Sequence, residues 1–166
     1  VPAYYRLGVT SVYELLGREF GGASQGAASA TFMIGRALSD GARLYVERWL
    51  PERPLRAWLQ IVHGMDEHSR RYARFAERAC AAGFAVTAHD QRGHGQSATP
   101  GTLGDMGKGG WRAAVRDVAE LGSALLAAAP GTPRILFGHS MGSFVARAAL
   151  LEPDVGQGPT PLAGCA

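Results

Sequence analysis

The sequence predicts an α/β domain built on a mostly parallel sheet with helices on both faces. Three observations carry this. Short apolar runs, of the kind shown by strands buried on both faces, recur at Ala57–Val62 and at residues 84–88 and 134–137. Each is followed by a segment with apolar residues at helical spacing, at residues 71–82, 111–129 and 144–151. The last strand and helix meet at a hard turn, Gly138-His139-Ser140-Met141-Gly142. Strand and helix in strict alternation call for parallel pairing through helical crossovers.

Taken in order, residues 1–32 differ from the rest. They hold a short helix-like run at residues 12–16 and a Gly/Ala/Ser stretch of linker composition at residues 21–30, and are expected to form a flexible extension to a domain at residues 33–166. Ser39-Asp40-Gly41 is a turn signal. Residues 43–50 alternate Leu44, Val46 and Arg48 with Tyr45, Glu47 and Trp49, as an edge-like strand does, and Pro51 and Pro54 end it. The apolar run Ala57–Val62 stops at His63-Gly64.

The next segment spaces Tyr72, Phe75, Ala76 and Ala79 along one helix face, and Gly83 terminates it in the C′ position. A second buried strand closes on His89-Asp90 and runs into the loop Gln91-Arg92-Gly93-His94-Gly95-Gln96-Ser97. The helix at residues 111–129 is expected to turn Trp111, Val115, Val118, Leu121, Leu125 and Leu126 inward, with Pro130-Gly131 ending it.

Composition bounds the function. Hydrophobic residues make up 46% and charged residues 19% of the 166, the balance of a globular domain. The net charge of +3 comes from scattered arginines with Lys108 the only lysine, so no basic stripe suggests a nucleic-acid partner. Cys80 and Cys165 are far apart and lack metal-ligand spacing, which points to reduced thiols, no metal and a cytoplasmic setting. No apolar run is long enough for a transmembrane segment, and charges at Arg6, Glu14, Arg18 and Glu19 break up any signal-peptide core.

The chemistry centres on Ser140. A G-x-S-x-G between a strand and a helix fits a nucleophile elbow, where flanking glycines (Gly138, Gly142) avoid Cβ clashes and the helix N-terminus favours developing negative charge. A serine nucleophile also needs oxyanion donors, a base and a group that orients the base. His63-Gly64-Met65 leaves a buried strand where this architecture supplies its second donor, so the backbone N–H groups of Met65 and Met141 are the candidates. His63, Gly64 and His139 are expected to support the site. Arg92-Gly93-His94-Gly95 does not open a helix directly, and is read as a hydrogen-bonded loop near the site, not a phosphate cradle.

Three stretches together, residues 63–72 (HGMDEHSRRY), residues 89–97 (HDQRGHGQS) and residues 138–142 (GHSMG), resemble the monoacylglycerol lipase and lysophospholipase branch of the α/β-hydrolases, of serine aminopeptidase S33 type. The resemblance runs from about Ser39 to Leu151. It implies an α/β-hydrolase fold, an acyl-enzyme on Ser140, a lipid-type carboxylic ester as substrate and no cofactor. Asp66 stands where that family often has a small residue.

In this fold the triad runs serine, acid, histidine along the chain. No histidine follows Ser140, and Glu152 and Asp154 come too soon after the elbow helix to lie on later strands. His63, His68, His89, His94 and His139 each have a structural reading. The acid, the base and the lid are therefore expected beyond Ala166, with the sheet ending after the elbow helix. On that reading the strand at residues 134–137 exposes a hydrogen-bonding edge, Ile135, Phe137, Phe144 and Leu151 lie open, and the isolated chain is poorly soluble, oligomeric or partly molten. The rival readings are a catalytically incomplete fragment or binding module, and peptidase or haloperoxidase chemistry on the same fold. The residues do not specify an oligomeric state.

Overall fold

A computed structural model describes residues 41–152, together with the backbone of two short flanking strands. The strands are β1 (Arg36–Ala37), β2 (Arg43–Leu44), β3 (Val46–Trp49), β4 (Ala57–Val62), β5 (Phe84–His89), β6 (Arg134–Gly138) and β7 (Leu162–Cys165). The helices are α1 (Ala73–Ala81), α2 (Gly110–Ala128) and α3 (Met141–Ala149). The expected extension at residues 1–32 lies outside the described residues.

The main sheet has the order β3-β5-β4-β6-β7. β3 runs antiparallel to β5, while β5, β4, β6 and β7 are parallel neighbours. β4 is therefore central, and all six of its residues are buried, because side chains alternate between two covered faces. Leu59 and Ile61 point to one side, where they pack with Trp49, Val86 and Ala88 under Ala76 of α1. Val62 points to the other, into a core with Val115 and Val118 of α2, Leu136, and Val145 and Ala149 of α3.

The polar members of β4 and β5 on the α2 side are satisfied internally, as buried polar groups must be. The Trp58 indole N–H donates to Thr87 Oγ1 at 2.8 Å, and Gln60 Nε2 donates to the Val118 carbonyl at 2.9 Å. Gly122 of α2 faces Arg134, and a Cβ there would overlap the guanidinium, so this glycine makes room for a buried arginine.

The sheet extends one strand further than the sequence suggests. β7 pairs in parallel with β6, through Arg134↔Leu162, Ile135↔Gly164 and Leu136↔Cys165, so the edge expected to lie open on β6 is occupied. The short run Leu-Ala-Gly-Cys has no alternation or β-branched residue to announce it; its pairing comes from the tertiary template that β6 presents. The apolar exposure expected around the elbow helix is present, with Phe144 64% and Leu151 86% exposed, while Ile135 and Phe137 are half-buried. The first helix also starts later than its periodicity suggests. Residues Ser69–Tyr72 form a 3-10 turn, and Gly83 sits at φ 89° directly after the C-cap Ala82, as expected.

Candidate active site

The carboxyl ends of β4 and β6 lie side by side, with Val62 opposite Gly138 in the register, and the loops leaving them form the site. This is the end of a parallel sheet where ligands bind in open α/β folds. Ser140 occupies the corner between β6 and α3 with φ 52° and ψ −123°, a conformation that L-residues rarely hold. Its side chain is exposed. Met141 is the first residue of α3, so its N–H has no intrahelical acceptor.

Close backbone approach explains the flanking glycines. A Cβ on Gly138 would lie 2.6 Å from Ser143 Cα and 2.7 Å from the Gly142 carbonyl oxygen. One on Gly142 would overlap the carbonyls of Val62 and His63. The elbow is also tied to β4 by a bond from the His139 N–H to the Val62 carbonyl at 3.1 Å. Gly142→Ala should thus cost at least about 1–3 kcal/mol, the usual range for an overpacked site, because backbone cannot yield as a side chain can. A urea melt of the variant checks this, and a midpoint equal to wild type would contradict it.

Gly64 lies against the serine, since a Cβ there would come within 3.1 Å of both Ser140 Cβ and His139 Nδ1. Met65 follows at the surface, 62% exposed. Asp66 then takes the left-handed conformation, φ 58°. Aspartate is one of the few L-residues that tolerate it.

Glu67, which sequence reasoning did not single out, is the hub of the loop. Its Oε2 accepts from the Gly64 N–H (3.0 Å) and the Tyr72 hydroxyl (2.8 Å), and lies 3.0 Å from His139 Nδ1. Its Oε1 pairs with Arg71 Nε at 3.0 Å. Partial burial opposes ionisation, but the Gly64, Tyr72 and His139 bonds outweigh it and hold the carboxyl at about 2. The only signal for this in the sequence was its place inside the stretch from His63 to Tyr72.

Each histidine is accounted for. His63 is buried; its Nε2 accepts from the Gln91 N–H at 2.9 Å and its Nδ1 meets the Gly64 carbonyl at 2.7 Å, so both ring nitrogens are used and burial lowers its pKa. His94 is buried with Nδ1 on the Arg92 carbonyl at 2.9 Å. His89 is fully buried, and neither ring nitrogen has a hydrogen-bond partner among the described residues. His68 is exposed at the start of the 3-10 turn. His139 is the one engaged with Glu67.

The loop after β5 is internally bonded, as its sequence suggests. Asp90 accepts from the Ser69 and Gln96 N–H groups at 2.6 and 2.7 Å, joining it to the 3-10 turn. Arg92 forms a bidentate pair with Asp117 of α2, both contacts at 2.7 Å. Among the described residues no three His, Cys, Asp or Glu side chains converge as a metal site would require, and no helix is long and apolar enough to cross a membrane.

A family profile described as serine aminopeptidase, S33, matches residues 53–158. The monoacylglycerol lipase of Mycolicibacterium smegmatis is 38% identical over 109 residues, which span 61% of this chain and 35% of that protein. The monoglyceride lipase of Homo sapiens is 35% identical over 108 residues, 65% of this chain and 34% of that protein. Among solved structures, a thermostable carboxyl esterase from Bacillus coagulans in complex with glycerol superposes with a TM-score of 0.70 at 33% identity, over 81% of this chain and 42% of that one. The chain spans about a third of the length of the curated relatives it matches.

Proposed function

Because the chain belongs to the serine aminopeptidase S33 family and has the α/β-hydrolase fold, we propose that it carries the nucleophile half of a serine hydrolase acting on lipid-type carboxylic esters. The observation that carries this reading is Ser140 in its φ 52° corner, with the Gly64 backbone packed against it. Esters are favoured over peptides because curated relatives more than 30% identical are described as monoglyceride or monoacylglycerol lipases.

In the proposed reaction Ser140 Oγ attacks the ester carbonyl while the Met65 and Met141 N–H groups receive the oxyanion, and the tetrahedral intermediate collapses to an acyl-enzyme with loss of the alcohol. The serine proton needs an acceptor. His63 and His94 are hydrogen-bonded elsewhere and His89 is buried away from solvent, so no base of the usual kind stands ready among them. These engaged histidines support a second reading, in which this chain alone is catalytically incomplete and binds without turning over.

The direct test is covalent capture. Prolonged incubation with a fluorophosphonate should add one probe per chain slowly, since no base activates the hydroxyl; peptide mass spectrometry should map it to Ser140, and Ser140→Ala should remove the adduct. An adduct elsewhere, or equal labelling of the variant, would overturn the assignment.

A further inference from the structure

The loop bearing Met65 has little packing to hold it. Met65 is largely exposed, Asp66 is in a left-handed conformation, and the turn that follows has no side-chain cap. Asp90 holds the far end of the loop through the Ser69 N–H, and the end next to the serine is fixed by one other carboxylate. Glu67 takes its contacts from three separate elements: the Gly64 N–H on the strand exit, Tyr72 and Arg71 on the 3-10 turn, and His139 on the elbow itself. Through Glu67, the residue before Met65 is tied to the residue before Ser140.

From this geometry we infer that Glu67 is a positioning residue for acyl transfer, setting the placement of the Met65 N–H relative to Ser140. The inference rests on the reading of Ser140 as nucleophile. Its physical basis is that an oxyanion donor works only within a few tenths of an ångström of the position the developing charge will take. A loop that drifts keeps the serine but loses the donor. Glu67 does not touch the reacting atoms in this arrangement; it acts through Gly64 and His139.

Three variants separate this role from simple structural support. Glu67→Ala removes every contact and is expected to slow fluorophosphonate capture at Ser140 by about 10²-fold, the loss typical of one oxyanion donor. Glu67→Gln keeps an amide oxygen that can accept from Gly64 and Tyr72, so it should recover most of that rate despite losing the charge. Tyr72→Phe leaves the Gly64 and His139 contacts and should label within a few-fold of wild type.

Hydrogen exchange supplies a readout that does not depend on reactivity. In Glu67→Ala the Gly64 amide should lose protection while the amides of β4 and α2 keep theirs. Wild-type labelling rates in Glu67→Ala, or loss of protection spread evenly through the sheet, would overturn the inference. Should wild type show no capture at Ser140, the nucleophile reading and the positioning role resting on it both fail. The exchange pattern then reports only whether Glu67 anchors the loop.

Discussion

The purified 166-residue chain is expected to hydrolyse p-nitrophenyl butyrate about 10⁶-fold more slowly than a serine hydrolase of this fold with a complete triad. That factor is what loss of the base alone costs in a comparable serine enzyme, because the hydroxyl is then a poor nucleophile and the acyl-enzyme has nothing to activate water. The histidines of this chain do not fill the gap: none follows Ser140, and His63, His89 and His94 are turned inward. His139 Nδ1 is engaged with Glu67 at 3.0 Å, and His68 is exposed at the start of the 3-10 turn. A spectrophotometric assay with enzyme in the tens of micromolar gives the sensitivity needed. Turnover within 10³-fold of a complete enzyme, lost in Ser140→Ala, would show that a base exists within this chain.

Acid should unfold the protein early, and His89 should be the main cause. The imidazole is fully buried at the end of β5 with no hydrogen-bond partner for either nitrogen among the described residues. Burial, helped by neighbouring His63 and opposed by Asp90, lowers its pKa from 6.5 to about 3. Between those values the unfolded chain binds a proton that the folded one refuses, so stability falls as pH drops, by about 1.4 kcal/mol per unit at most. The total is several kcal/mol, a large share of the stability of a small domain.

Glu67 acts in a lower window. Its carboxyl, depressed from 4.5 to about 2, contributes stability above the unfolded value that is lost as pH falls toward the folded one. Urea midpoints at pH 7.5, 6 and 5 isolate the histidine contribution. His89→Asn should flatten that series markedly, leaving a residual slope from His63, whose pKa is also lowered by burial. A wild-type midpoint unchanged between pH 7.5 and 5 would contradict the assignment.

Much of the fold was legible because its central strands are buried on both faces. Ala57–Val62 is a strand with the bounds its apolar run suggests, and Val115, Val118, Leu121 and Leu125 face inward on α2 as their spacing requires. Reading failed at the periphery. Trp111 was expected inward, yet it is exposed in the first turn of its helix, and Phe75, spaced with the buried Ala76, is exposed and stacks on Phe137. β7 left no trace in the residues because a four-residue strand of small side chains is chosen by its neighbour.

At the site, sequence spacing pointed to the serine corner and the loop beside it, since a glycine forced by close approach is a local signal. It did not point to Glu67, because a glutamate's value there depends on which donors the fold brings within 3 Å. Nor could it separate His63, with both nitrogens engaged, from His89, with neither.

The pairing of β4 with β6 has a consequence for how the molecule assembles. These strands are adjacent in the sheet but are separated in the chain by the whole of α1, β5 and α2. β4 and β5 can meet across a single short helix, whereas Val62 and Gly138 meet only after a far longer loop has closed, which is slow and contributes no contact until it is complete. The Gly64 loop and the serine corner come from opposite sides of that late junction. Collapsed intermediates that already hold the β4–β5 half would carry no site at all. Reactivity at Ser140, on the proposed reading, would then require that this long-range junction has closed.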